Sequence, residues 1–282
     1  MSYGWLRPFC FVNHSALGLQ TFNLLFSCPR QKHASVVAFL KADPRVVWAM
    51  ENVGHPRYEV TAVSRTARGI SSLFHDIAKT CNTPITSRHW ALETSLVYWG
   101  NRTISNDTNF KRFELLPEEP CEHDGLDLRI LDSLRSLGSE SLALVARQLK
   151  ESPSTISYRV NRLRSRKVIS PVFYRLDTQS AGIFSCEYLL TVSRVEAKTE
   201  EQLIRFCDRT PEITMLVPAF GTWDYKLLVK AETLDGLLEV RDHLESSLPN
   251  VFSDVIIVVS KEVITGVTHF SRHPEVLQAK SS

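Results

Sequence analysis

The chain contains the same unit twice. Phe39 and Phe206, Pro44 and Pro211, Gly54 and Gly221, Tyr58 and Tyr225, Thr66 and Thr233, and Gly69 and Gly236 are each 167 positions apart. A constant offset kept over that length marks a duplicated supersecondary unit. The match runs upstream, across a small gap, to Pro8–Gly18 against Pro171–Gly182. Any fold for this chain must therefore hold two versions of one module. What precedes each copy differs: Asp124–Ile169 stands before the second, and seven residues stand before Pro8 of the first.

Hydrophobic periodicity gives each copy its elements. In the second copy, Cys186–Val192, Ile213–Phe220, Asp224–Ala231 and Val251–Val259 read as strands. Glu200–Arg209 and Leu234–Leu248 read as amphipathic helices. The first copy repeats the order, with strands Phe22–Phe26, Val46–Val53, Tyr58–Ser64 and Thr86–Thr94 and helices Ala34–Lys41 and Ile70–Thr80. The order β-α-β-β-α-β is the ferredoxin-like plan, a four-stranded sheet with both helices on one face. The expected class is α+β, with ferredoxin-like units at 8–100 and 176–267. The second face of each sheet is left bare, and an apolar face of that kind needs a partner. Residues 101–123, with their Asn, Asp, Thr and Pro content, read as a polar linker, and 268–282 as a loose tail.

Residues 124–175 read as a helical unit. Ile130, Leu131, Leu134 and Leu137 share one helix face, and Leu142, Val145, Ala146 and Leu149 a second. Ser152 fits an N-cap and Pro153 the first helical position of a third helix, whose stripe is Ile156, Val160 and Leu163. Helix, short turn and capped helix make a helix-turn-helix. No acidic residue lies between Ser152 and Ile169. The polar set on and beside this third helix is Ser152, Ser154, Thr155, Ser157, Tyr158, Arg159, Asn161, Arg162, Arg164 and Arg166. Hydroxyls and amides near the helix start can read base edges, and the arginines can hold phosphates. On this reading Thr155→Ala with Ser157→Ala costs sequence discrimination, and Arg162→Ala weakens all DNA sites alike. Val168–Tyr174 follows as an extended wing or connector.

A net charge of only +2 confines any nucleic-acid contact to such a local surface. The six cysteines show no C-x-x-C spacing and lie mostly in apolar runs, as free buried thiols of a reducing compartment do. The start has neither the cationic lead nor the apolar stretch of a secretion signal. No run approaches the length of a membrane span. Cytoplasmic residence is expected. Cys121-Glu-His123 lacks the further ligands of a zinc site. There is no G-x-S-x-G, H-E-x-x-H or phosphate-binding glycine loop. No catalytic residue, metal or cofactor is assigned, and the chain is not expected to be an enzyme.

Asp127–Leu131, Ala146–Leu149, Ser152–Thr155, Arg159–Leu163 and Val168-Ile169 together resemble the winged helix-turn-helix of the leucine-responsive/AsnC regulator family. Leu176–Gly182 resembles that family's hinge, and Gly221-Thr-Trp-Asp-Tyr225 the signature loop of its ligand-sensing domain. The resemblance implies a regulator that binds double-stranded DNA and responds to a small molecule such as an amino acid. It implies an effector site at Gly221, Trp223, Asp224 and Tyr225. The order differs from the family's, since sensing units flank the helix-turn-helix here. Gly4–Pro8 resembles the end of a helix-turn-helix running into its hinge, so a first DNA-binding unit is expected to have been lost or to lie upstream. Arg57 stands where the second loop has Asp224, which sets the first loop apart as an effector site.

One enzyme alternative shares the two-copy architecture, the siroheme decarboxylases. Phe22–Phe26 is similar to a segment of theirs, although Val12–Leu17 replaces the histidine, tyrosine and arginine cluster that precedes it there. The two sensing units are expected to pair sheet against sheet within one chain, and the chains to form a homo-oligomer.

Overall fold

The computed structural model describes residues 6–100, 102, 112–137, 142–178 and 180–277. The first copy forms β2 (Gln20–Ser27), α1 (His33–Ala42), β3 (Val46–Asn52), β4 (Tyr58–Ser64), α2 (Ala67–Thr80) and β5 (Thr86–Glu93), with its strands in the order β3-β4-β2-β5. The second forms β9 (Phe184–Val192), α6 (Thr199–Arg209), β10 (Ile213–Gly221), β11 (Tyr225–Ala231), α7 (Leu234–Ser247) and β12 (Phe252–Thr265), in the order β10-β11-β9-β12. Helix starts are repeated as faithfully as strands. Thr66 Oγ1 accepts from the Gly69 N–H at 3.2 Å, and Thr233 Oγ1 from the Gly236 N–H at 3.0 Å. Gly69 has a reason beyond the cap: a Cβ there would lie 2.0 Å from Ser64 Oγ.

The expectation of two open sheets stacked face to face is corrected by how the copies join. β12 pairs with β3 and β5 pairs with β10, all antiparallel, so the eight strands close edge to edge into one barrel. The two seams are the same seam twice. Ser260 opposes Asn52 at one, and Glu93 opposes Ala219 at the other; the repeat offset carries each pair onto the other. Closure removes the unpaired edges that two open sheets would expose.

Strand alternation then sorts the side chains. Phe22, Leu24 and Phe26 of β2 pack outward with Val36, Leu40, Leu73 and Ile77 of α1 and α2. Cys186, Tyr188 and Leu190 of β9 pack outward with Leu203, Phe206, Leu237 and Leu244 of α6 and α7. The face left bare by the helices looks into the barrel. It carries Leu25, Ala91, Leu189, Trp223 and Val258, together with an ionic group the hydrophobic pattern did not announce. Lys226 Nζ lies 3.2 Å from Glu93, 3.4 Å from Glu59 and 3.9 Å from Glu187. Asn23 donates to Glu59 at 2.8 Å. Burial, and then the neighbouring Glu59, raises the Glu187 carboxyl well above its usual range. An eight-stranded barrel is just wide enough for side chains to fill.

The remaining segments tie the helical unit down. β1 (Leu6–Phe9) pairs antiparallel with β8 (Phe173–Leu176), so the expected wing or connector contributes a strand beside the first copy. β6 (Leu96–Tyr98) extends the β10 pairing, and β7 (Phe113–Leu115) pairs with β6. Phe9, Phe11, Tyr98, Phe113 and Phe173 pack as one aromatic cluster, with Phe11 stacked on Phe113 at 6.3 Å. The polar linker expected at 101–123 is therefore anchored over 112–123. Asn13 donates to the Leu116 carbonyl at 2.9 Å, and the Cys121 N–H donates to the Ala16 carbonyl at 2.9 Å. Residues 101 and 103–111 of that expectation lie outside the described residues.

The tail is likewise corrected. Phe270 and Val276 are buried beside the helical unit. Asp132 accepts from the N–H groups of Phe270 and Ser271 at 2.7 and 3.0 Å, and Glu275 accepts from Ser64 Oγ at 3.1 Å. A short α8 (Pro274–Leu277) ends the described chain. Polar composition hid these anchors because their partners, Asp132 and Ser64, belong to parts of the chain remote in sequence. Among the described residues no helix is long and apolar enough to cross a membrane.

Candidate nucleic-acid interface

Three helices build the candidate interface: α3 (Gly125–Leu137), α4 (Leu142–Leu149) and α5 (Pro153–Ser165). Their apolar stripes meet in one core with Leu128, Leu131, Leu134, Val145, Ile156, Val160 and Leu163. That core also takes in Cys10, Val12, Ala16 and Leu17 of the first copy, so the unit is fixed to the barrel rather than held by a tether. Ser152 caps α5 as its type and place predict, accepting from the Thr155 N–H at 3.1 Å with Pro153 in the first turn. Its hydroxyl also lies 2.9 Å from Ser154 Oγ and 2.8 Å from Thr155 Oγ1.

The sequence grouped ten polar residues here; the structure divides them. Ser152, Ser154, Tyr158, Asn161, Arg164 and Arg166 are exposed, and Tyr158 is 65% exposed, unusual for so large an apolar ring. Thr155 and Ser157 are half-buried. Arg159 and Arg162 turn inward. Arg159 Nη1 lies 2.5 Å from Asp124 and 3.2 Å from Asp127, and Arg162 Nη2 lies 2.5 Å from Asp127. Asp127 is fully buried at the start of α3. The hydrogen bond to Asp124 raises the Arg159 pKa further. Burial pushes the Asp124 carboxyl up, but the Asp127 N–H and Arg159 outweigh it and hold it below its usual range.

These arginines thus brace α5 against α3. Arg162→Ala would leave a buried carboxylate short of a partner, so its effect would pass through the fold and would not report phosphate contact alone. The sequence missed Asp124 and Asp127 as anchors. Their contacts with α5 are tertiary and leave no local mark in the sequence. Arg166 reaches the Glu122 carbonyl at 2.8 Å, and Lys167 pairs with Glu118 at 2.7 Å, both at the exposed end of the helix.

The loop singled out as an effector site lies on the β5–β10 seam. Gly221 has φ +157 and opposes Ala91; a Cβ there would meet the Trp90 carbonyl oxygen at 2.4 Å. The Thr222 N–H donates to that same oxygen at 2.9 Å. Trp223 is buried in the barrel, and its Nε1 has no hydrogen-bond partner among the described residues. Asp224 accepts from the Val192 N–H at 2.8 Å. Tyr225 is half-buried, and burial followed by the Glu200 and Asp224 charges raises its phenol pKa. Gly221 thus lies in the closing seam and Trp223 in the barrel interior, while Asp224 and Tyr225 are both half-buried. The counterpart loop, Gly54–Tyr58, has a cis His55–Pro56 bond and lies by the other seam.

Comparison with known proteins gives two answers of different reach. No family model matches the chain. A stretch of 127 residues is 26% identical to the HTH-type transcriptional regulator LrpC of Bacillus subtilis (strain 168), covering 45% of this chain and 84% of that one. The solved structure of B. subtilis LrpC matches 49% of this chain at 24% identity and a TM-score of 0.40. The siroheme decarboxylase NirDL, solved in complex with an iron-uroporphyrin III analogue, matches 98% of this chain and 83% of its own at a TM-score of 0.60 and 12% identity. That likeness is one of fold. It overturns the expectation that the chain is not an enzyme, because the architecture matched along nearly the whole length is an enzyme's. Over about half of its length the chain is similar in sequence to the regulator LrpC.

Proposed function

We propose that the chain is a sequence-specific DNA-binding regulator, built as two ferredoxin-like units closed into one barrel with a helix-turn-helix fixed to it. The observation that carries the reading is α5: a capped helix whose outer face offers Ser154, Tyr158, Asn161, Arg164 and Arg166, with no acid along it. The sequence relationship to LrpC supports it. Ser154, Thr155 and Ser157 at the helix start would read base edges, and Arg164, Arg166 and Lys167 would hold phosphates. A small-molecule effector such as an amino acid would lie beside Tyr225. The place of action would be the cytoplasm, and the active species a homo-oligomer.

The test is retardation of DNA from the protein's own locus over a salt series. Each lost phosphate contact lowers the slope of log affinity against log salt by about 0.9. Arg164→Ala should lower the slope by about that amount, whereas Thr155→Ala with Ser157→Ala should reduce discrimination and leave the slope unchanged. Absence of retardation at low salt removes the reading.

The second reading is an enzyme of the siroheme decarboxylase kind, and it rests on the whole-chain likeness of fold. It predicts a shifted Soret band on titration with siroheme and loss of carboxyl groups from it on turnover. No spectral change and no turnover remove it.

A further inference from the structure

We propose that His33, Glu51 and Glu262 form a site for one divalent transition-metal ion, of the Zn2+ class, at the seam where β3 meets β12. His33 begins α1, Glu51 lies in β3 and Glu262 in β12, so the ligands come from both halves of the barrel. One ligand atom from each lies within 4.8 Å of the other two. Glu51 and Glu262 are register partners in the antiparallel seam. Like charges placed directly opposite destabilise a strand pair. The pairing shifts register between Ser260 and Glu262, the kind of irregularity that re-aims a side chain. A cation shared by the two carboxylates turns the repulsion into a clamp.

The oxygens of Glu51 are already divided. Oε2 holds Lys261 at 2.7 Å. Oε1 is 4.0 Å from His33 Nδ1 and 4.0 Å from Arg57 Nε, beyond hydrogen-bond reach and free to coordinate. The His33 ring is oriented by a second partner: its Nδ1 lies 2.9 Å from the hydroxyl of the fully buried Tyr58. One imidazole with two carboxylates suits Zn2+ or Mn2+ better than Ca2+.

Barrel closure does not demand these residues. The other seam closes through the same pairing, and the counterparts of His33, Glu51 and Glu262 at the repeat offset are Glu200, Pro218 and Ser95. Lys261 and Arg57 oppose a cation here, which gives the site a second, opposite-signed prediction. Removing Lys261 frees Oε2 and should tighten binding.

The experiment is calorimetric titration of Zn2+ into the whole chain, with Mg2+ as control and circular dichroism to confirm folding of each variant. Glu262 is exposed and Lys261 more than half exposed, so neither change threatens the core. Glu262→Gln should weaken Zn2+ binding at least about tenfold, the loss usual even for an outer-shell partner. Lys261→Gln should strengthen it. Zn2+ should raise the unfolding temperature of the native chain and not that of Glu262→Gln. Equal Zn2+ affinity in the native chain and Glu262→Gln, or no Zn2+-dependent heat at all, overturns the site. The proposal stands apart from the choice between regulator and enzyme.

Discussion

Lys226→Met tests the barrel interior most directly. The ammonium lies 3.2 Å from Glu93 and 3.4 Å from Glu59, and its side chain is 4% exposed. At an effective dielectric of about 20, each attraction at such distances is roughly 5 kcal/mol. The cost of burying the ammonium offsets much of that sum. Glu187, at 3.9 Å, adds little, since burial and Glu59 favour its protonated form. Removing the cation leaves carboxylates in the interior without compensation, a change that costs about 3–5 kcal/mol.

A domain has about 5–15 kcal/mol in total, so urea denaturation followed by circular dichroism will resolve the loss. The pH dependence supplies a second reading. In the native chain, Lys226 has a raised pKa, and its contribution is fully present below the ordinary lysine value of 10.5. Adding Glu59→Gln and Glu93→Gln to Lys226→Met should recover most of the loss. A Lys226→Met chain within about 0.5 kcal/mol of the native one at neutral pH, the range of an ordinary surface change, would refute the reasoning.

The remaining outcomes concern braces, caps and acid. Asp127→Asn should lower stability by about 3 kcal/mol and loosen Arg162, while Arg159 keeps Asp124, so that proteolysis cuts near α5 sooner. Thr66→Ala and Thr233→Ala should each cost about 1 kcal/mol in urea denaturation, and unequal losses would show that the two caps differ in role. Burial, then Arg135 and His273, pushes the His14 pKa down to about 3, and burial lowers that of His273. Both pKa values are depressed, so the unfolded chain takes up the protons first, and stability should fall as the pH drops below about 6.5. His14→Gln should flatten that fall in an acid titration of the unfolding temperature.

Most of the element order was legible because the copies repeat both strand alternation and helix starts. β4 agrees with its expected range, Tyr58–Ser64, residue for residue. The end of β12 was not legible: Val251–Val259 is the apolar run, but the strand continues to Thr265 because β3 of the other copy supplies the partner. The barrel interior was partly legible. Glu59 and Lys226 stand at the repeat offset from each other, counterparts of opposite charge in otherwise apolar strands, and that pairing foretells an ion pair across a pseudo-dyad. Glu93 and Glu187 carry no such mark. At α5 the cap, the stripe and the exposed face follow from local chemistry. The inward turn of Arg159 and Arg162 depends on Asp124 and Asp127, which precede α4 and its turn, and no local pattern contains it.

The closed barrel constrains how chains can assemble. Both edges of each half are consumed at the seams, so no strand edge of the barrel remains to recruit a second chain. A chain carries one α5, whereas a two-fold DNA site needs two recognition helices about one helical turn, or a multiple of it, apart. On the regulator reading, two chains would then join through another surface. Val53 and Phe220 stand at counterpart positions of the repeat beside the two seams, and they are 61% and 70% exposed. Large apolar side chains left exposed at both ends of a pseudo-dyad offer the same contact twice, as a symmetric oligomer requires. Val53→Ser with Phe220→Ser should leave unfolding unchanged, since neither residue is in the core, and should lower the mass seen by light scattering. It should also weaken binding to a palindromic site far more than to a half-site. A native chain that is strictly monomeric and still binds a palindrome tightly would defeat this scheme.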